Sequence, residues 1–207
     1  MKEKTSNSNL IYQRRTGRYS LYARMRDQLL LPVSRQGRLW LLLILLVGFS
    51  SLSYSQRVNY KSQSLLIYKF SLYVSWPSEA IDDTLYIGVY GNSPILSELS
   101  LMSSIKKAGG GRPISVIPID SPDDIKRVHI LYLASSRSRE LRSLVQQLKD
   151  QSVLIVAERG GLAKKGACIN FILMEDDTLR YEYNVRELEN RGLKMSQEFT
   201  RFGYKVN

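Results

Sequence analysis

One cysteine, one histidine and two tryptophans in 207 residues narrow the chemistry before any pattern is sought. A lone Cys168 cannot close an intramolecular disulfide, so an exported form of this chain must stand on its core alone. A lone His129, inside an apolar run, lacks the further His or Cys partners that a metal site collects, which makes a structural role the better reading. Cys168 has no histidine near it in sequence and reads as a buried thiol rather than a nucleophile. Internal repeats, a Gly-x-Ser-x-Gly elbow, a GxxxxGK[ST] loop and a dinucleotide fingerprint are all missing. The glycines at Gly109, Gly110 and Gly111, followed by Arg112, come after a helical stretch and before a strand, so a helix stop and loop explain them. The acidic pairs Asp82-Asp83, Asp123-Asp124 and Asp176-Asp177 all fall in turn-like stretches, where solvated carboxylates are usual. No catalytic residue, metal ligand or cofactor site is assigned.

Charge is present but unevenly placed. Residues 1–38 hold nine Lys or Arg against Glu3 and Asp27, which gives them +7 of the formal +11. The rest is only mildly basic, with no dense stripe and no interleaved aromatics, and this excludes nucleic acid as the expected partner. Residues 39–56, "LWLLLILLVGFSSLSYSQ", carry no charge, and their strongly apolar part, Leu39 to Phe49, falls short of the roughly 20 residues of a spanning helix. A basic region, a short apolar core and small residues at a cut near Ser53 or Ser55 describe a secretory signal. The basic region is long for a signal, so either translation starts at Met25 or the segment remains as an anchor with its basic side in the cytoplasm. Both readings place residues 57–207 outside the cytoplasm, and no cysteine follows the apolar core to carry a lipid. About 150 residues are enough to bury a core without staples.

Within that domain, Leu66, Phe70 and Tyr73, flanked by Ile67 and Val74, set a helical face with Ser64, Ser71 and Ser75 off it. Pro77 ends the helix by Trp76. "LYIGVYG" is a buried strand; Ser93-Pro94 then caps and opens a helix reaching about Lys107. A strand at Ile114 to Ile117 and a turn around "SPDDIKR" lead to a second buried strand, "VHILYLA". A helix over 136–149 carries Leu141, Leu144, Val145 and Leu148 on one stripe, and "SVLIVA" follows as a strand. "ACINFILM" and "TLRYEYNV", joined at Glu175-Asp176-Asp177, form an antiparallel hairpin, because Leu179, Tyr181, Tyr183 and Val185 alternate with polar residues. After a stop at Gly192, the spacing of Met195, Phe199, Phe202 and Val206 predicts a final helix. The expected fold is one α/β domain: a three-layer α/β/α sandwich with a mixed sheet of about six strands, ending in a hairpin and a C-terminal helix.

Candidate partner- or ligand-binding residues are Glu158, Arg180 and Asn184, at strand ends or on the polar strand face. Tyr73 and Trp76 join them if aromatic side chains of the first helix line a pocket. The ordinary alternative for the polar three is a solvated strand face.

The ordered series Tyr68, Phe70, Val74, Trp76, Pro77; "IGVYG"; Gly111, Arg112, Pro113, Ile114; His129, Ile130, Leu131; "VLIV"; Gly166, Ile169, Phe171; Arg180, Tyr181, Asn184; and Gly192, Leu193 resembles the YfiR-like proteins (YfiR and HmsC relatives), over about residues 58–206. It departs from them in cysteine: many relatives carry one just before the strand histidine, where this chain has Val128, so disulfide-based redox control is not carried over. The resemblance implies a non-enzymatic periplasmic regulator that binds the extracytoplasmic domain of an inner-membrane signalling protein, of diguanylate cyclase or sensor kinase type. It also implies an outer-membrane lipoprotein as a further partner, effects on cyclic-di-GMP and biofilm formation, and homodimerisation. Two other readings stand beside it: a periplasmic small-ligand sensory domain with an aromatic-lined pocket, and an unrecognised hydrolase, for which the sequence offers no constellation.

Overall fold

The computed structural model describes Gln36 and residues 58–207 other than Asp82 and Lys126. Apart from Gln36, the expected basic region and export segment lie outside the described residues. Val58–Asn207 is a compact unit of its own, and none of its helices is long and apolar enough to cross a membrane.

Helix α1, Tyr60–Tyr73, starts where the Asn59 side chain accepts a hydrogen bond from the Ser62 amide at 3.0 Å, satisfying one of the first turn's free donors. It ends as Val74 turns extended, and β1 (Val74–Ser75) pairs antiparallel with β8 (Lys194–Met195) in a small separate ribbon. The packed face of α1 differs from the one expected. Ile67 and Phe70 are buried as predicted, but so are Gln63, Ser64 and Ser71, while Leu65 and Leu72 face outward. Serine reads as polar in a periodicity count, yet the Ser64 and Ser71 hydroxyls donate to the Lys61 and Tyr68 carbonyls at 2.8 and 2.7 Å. Bonded back to their own helix, small side chains tolerate burial and close approach.

The main sheet has seven strands in the order β3-β2-β4-β5-β6-β7-β9. β2 (Leu85–Tyr90), β3 (Ile114–Ile119), β4 (Ile130–Leu133), β5 (Leu154–Ala157) and β6 (Ile169–Leu173) run parallel. β7 (Leu179–Asn184) turns back antiparallel on β6, and β9 (Tyr204–Val206) lies parallel to β7. All six expected strands are present. Ile130 to Leu133 and Leu154 to Ala157 are buried throughout, as strands covered on both faces must be.

Helix α2 (Ile95–Ile105) links β2 to β3 in one direction along the sheet, and α3 (Leu141–Gln147) links β4 to β5 in the other. Right-handed crossovers then place α2 and α3 on opposite faces, which makes three layers. α1 packs beside α2. A stretch of 3-10 helix, Ser135–Glu140, leads into α3, whose Leu141, Leu144 and following Leu148 are buried as the stripe predicted.

The carboxyl end of the chain departs from expectation. After α4 (Val185–Asn190), the segment expected to be one helix is instead β8, a single turn α5 (Gln197–Thr200) and the edge strand β9. Gly203 explains the break: a Cβ there would lie 2.3 Å from the Tyr181 ring, so the chain crosses the ring at glycine and straightens. Phe199 and Val206 point inward, but Phe202 is 55% exposed, and four residues at helical spacing do not share one face. Phe199 packs with Phe70 and Tyr181 at ring-centroid distances of 5.6 and 5.4 Å, tying α1, β7 and α5 together.

Candidate functional site

Because β2 leads to β3 in one direction and β4 to β5 in the other, the strand order reverses between β2 and β4. In open α/β sheets the crevice outside the carboxyl ends of the strands at such a point is the usual place for recognition. Here it is formed by Tyr90 at the end of β2 with Gly91 and Ser93 after it, Ala134 to Arg137 after β4, Glu158 after β5, and the first turn of α1.

Glu158 is the centre of this arrangement. One carboxylate oxygen accepts from the Tyr60 hydroxyl at 2.9 Å, the other from the Ser135 amide at 2.7 Å. One turn along α1, the Gln63 side-chain oxygen accepts from the buried Tyr132 hydroxyl at 2.9 Å. The Ser93 side chain stands near both phenols. Burial, and then Glu158, push the Tyr60 and Tyr132 hydroxyls above the ordinary tyrosine range, so both stay protonated donors. The start of the domain is thereby latched to the ends of β4 and β5.

A second pairing completes the rim. The Tyr90 hydroxyl donates to the Glu140 carboxylate, Arg137 Nη1 donates to the same carboxylate at 2.9 Å, and the Arg137 guanidinium lies 5.3 Å from the Tyr90 ring centroid. The Tyr90 hydroxyl, with Arg137 after it, holds the Glu140 carboxyl below its ordinary value. Gly91 makes this approach possible: it sits at φ +94, and a Cβ would fall 2.6 Å from Arg137 Cγ.

Of the residues chosen from sequence, only Glu158 belongs to this site. Asn184 is buried at the end of β7, where its side chain accepts from the Glu187 amide at 3.2 Å and donates to the Ala163 carbonyl at 2.9 Å, capping α4 and holding the loop after β5. It is backed by Asn170, which accepts from the Ala163 amide at 2.7 Å and donates to Glu182 at 2.9 Å. Arg180 instead lines a surface hollow with Met174, Asp176, Thr178 and Tyr204, and no ion pair joins it to Glu158 among the described residues. Tyr73 is stacked on Phe199 at 4.9 Å and 8°. Trp76 packs against the core with its indole N–H buried and unpaired. The Tyr73 ring is therefore taken up by the chain's own Phe199.

Tyr60, Gln63, Ser93, Tyr90, Tyr132, Arg137 and Glu140 were missed. Their partners lie up to 98 positions apart in sequence, and the only available signal was the tyrosines set inside apolar strands. His129 is buried, stacks on Tyr86 at 6.0 Å and 14°, and accepts from the Tyr86 amide through Nδ1 at 2.9 Å. Cys168 is fully buried, and burial pushes its thiol up to about 11. Among the described residues, no three His, Cys, Asp or Glu are grouped to hold a metal ion.

No curated protein matches the chain. Among solved structures, one described as the ABC domain in complex with L-Trp from Streptococcus pneumonia is 11% identical, with a TM-score of 0.45, over 72% of this chain and 60% of that one. That likeness is too slight to bear on fold or function. A family model described as YfiR/HmsC-like, by contrast, matches residues 60–203, essentially the whole of the sheet and its helices, and the chain belongs to that family.

Proposed function

We propose that the domain is a non-enzymatic periplasmic regulator that binds the extracytoplasmic part of an inner-membrane signalling protein and sets its output, through cyclic-di-GMP, on biofilm formation. Membership of the YfiR/HmsC-like family over residues 60–203 is the observation that carries this reading. The surface supports it: Leu65 and Leu72 on α1, and Leu101 and Ile105 on the neighbouring α2, are 40 to 74% exposed, side chains that a protein partner would cover. The paired state of Glu158 and Glu140 supports it too, because both carboxylates are occupied as hydrogen-bond acceptors within the fold. An outer-membrane lipoprotein that sequesters the regulator, and a homodimer, belong to the same proposal.

Affinity capture of the protein from envelope extracts should recover a membrane cyclase or kinase. Deletion of its gene should change cyclic-di-GMP, with Leu101→Glu/Ile105→Glu reproducing the change in a folded protein. Unchanged cyclic-di-GMP on deletion, together with no membrane protein captured, would sink the reading.

A further inference from the structure

At the opposite, amino end of the parallel strands lies an open cavity of about 610 Å³, lined by Ile81, Asp83, Thr84, Tyr86 and Arg112. Its size is that of a small-molecule site. Arg112 reaches it from the turn that sequence reading dismissed as a helix stop. Gly110 and Gly111 adopt positive φ, +74 and +76, and the turn closes where the Ala108 amide donates to the Arg112 carbonyl at 2.8 Å. A Cβ on Gly110 would stand 3.9 Å from Arg112 Cζ, so the guanidinium folds back over the glycine turn. Pro113 keeps Arg112 extended, at φ −69 and ψ 137, on entry to β3.

The Arg112 carbonyl is thus satisfied and its Nε is not. Nε is buried with no hydrogen-bond partner, and no ion pair to Arg112 occurs among the described residues, although Asp83 lines the same cavity. An unpaired buried donor costs stability, and a guanidinium edge offers two parallel N–H groups matched to a planar carboxylate. Among the described lining residues one Arg stands with one Asp, a balance that favours a single negative charge over a dianion, which Asp83 would repel. The Thr84 hydroxyl supplies a further polar contact; Ile81 and the Tyr86 ring, backed by His129, supply a wall for the ligand's body.

We propose that this cavity binds a small monocarboxylate, with Arg112 as the fork that holds its carboxylate. The site lies apart from the Glu158 latch and goes beyond the regulatory reading, on which it does not depend.

The test uses the full chain, with benzoate and acetate as probes and inorganic phosphate as the dianion control. Calorimetry and the NMR shift of the Arg112 Nε–H should detect both carboxylates, with phosphate binding much more weakly. Arg112→Gln should weaken benzoate by about tenfold or more, as loss of a charge-assisted hydrogen bond requires. Arg112→Lys should not restore it, because the charge returns without the fork, and Asp83→Asn should tighten it. Should Arg112→Gln fail to fold, the Nε–H shift and Asp83→Asn still decide. Benzoate binding that ignores both substitutions, phosphate binding as tight as benzoate, or an unmoved Nε–H would each overturn the proposal.

Discussion

The two ends of the parallel strands are built from similar residues, tyrosines beside arginine and carboxylate, yet they are opposites in how those groups are used. At the carboxyl end Glu158, Tyr60, Tyr132, Gln63, Tyr90, Glu140 and Arg137 each have a partner inside the fold. At the amino end Arg112, which lines an open cavity, has a buried Nε without a partner. A paired polar group contributes to stability, whereas a buried unpaired one costs stability and calls for an explanation. The contrast teaches that the switch-point crevice, where the fold class puts ligands by default, is here a latch, and that the cavity at the other end is lined by a residue with an unspent donor.

The sharpest way to break that comparison is at Tyr132. Tyr132→Phe removes a buried hydroxyl and leaves the buried Gln63 side-chain oxygen without its donor. Unfolding by urea should show a loss of about 1–3 kcal/mol, the cost of an orphaned buried acceptor. A double variant with Gln63→Leu should recover part of that loss, since removing both partners relieves the orphan. Equal losses in the single and double variants would mean that the latch is incidental packing.

A smaller effect is expected on the rim. The Glu140 carboxyl titrates below its ordinary value because it accepts from Tyr90 and then Arg137. A folded value below the unfolded one means that its stabilisation is present above the unfolded carboxylate range, about 4.3, and is lost as pH falls through the folded value. Tyr90→Phe takes away the larger of the two causes, so an NMR titration of the Glu140 carboxyl should move up toward the ordinary range and the acid side of the stability profile should flatten. Arg137→Gln should move it in the same direction by less.

What could be read from sequence divides along the same physical line. β2, β4 and β5 were legible because a strand buried on both faces is an apolar run, and "VHILYLA" or "SVLIVA" can hardly be anything else; β7 was legible from its alternation. β9 was not: three residues are too few to show alternation, and the break at Gly203 is dictated by the Tyr181 ring, which sequence spacing does not reveal. The buried Ser64 and Ser71 were missed for a local reason, since their hydroxyls are satisfied by their own helix. Glu158 was found from its place at a strand end, but Arg180 and Asn184 were grouped with it on the same reasoning and the chain separates them. Asn184 turns inward to hold the loop after β5, because an amide with both a donor and an acceptor can close two backbone gaps at once.

The least change is expected at the amino end, and its sign matters more than its size. Arg112→Met keeps a stem of similar reach and deletes the unpaired donor. If Arg112 were there for the fold, its loss should destabilise, as at Tyr132. If its buried Nε is instead a standing cost carried for a ligand, the variant should be as stable as the parent or more stable, by up to about 1 kcal/mol, while losing benzoate binding. Urea unfolding of the two proteins without added anion makes the measurement, and adding benzoate should stabilise the parent alone, since only a state that binds the anion is favoured by it. A clear loss of stability in Arg112→Met would place Arg112 among the structural residues and remove the difference between the two ends of the sheet.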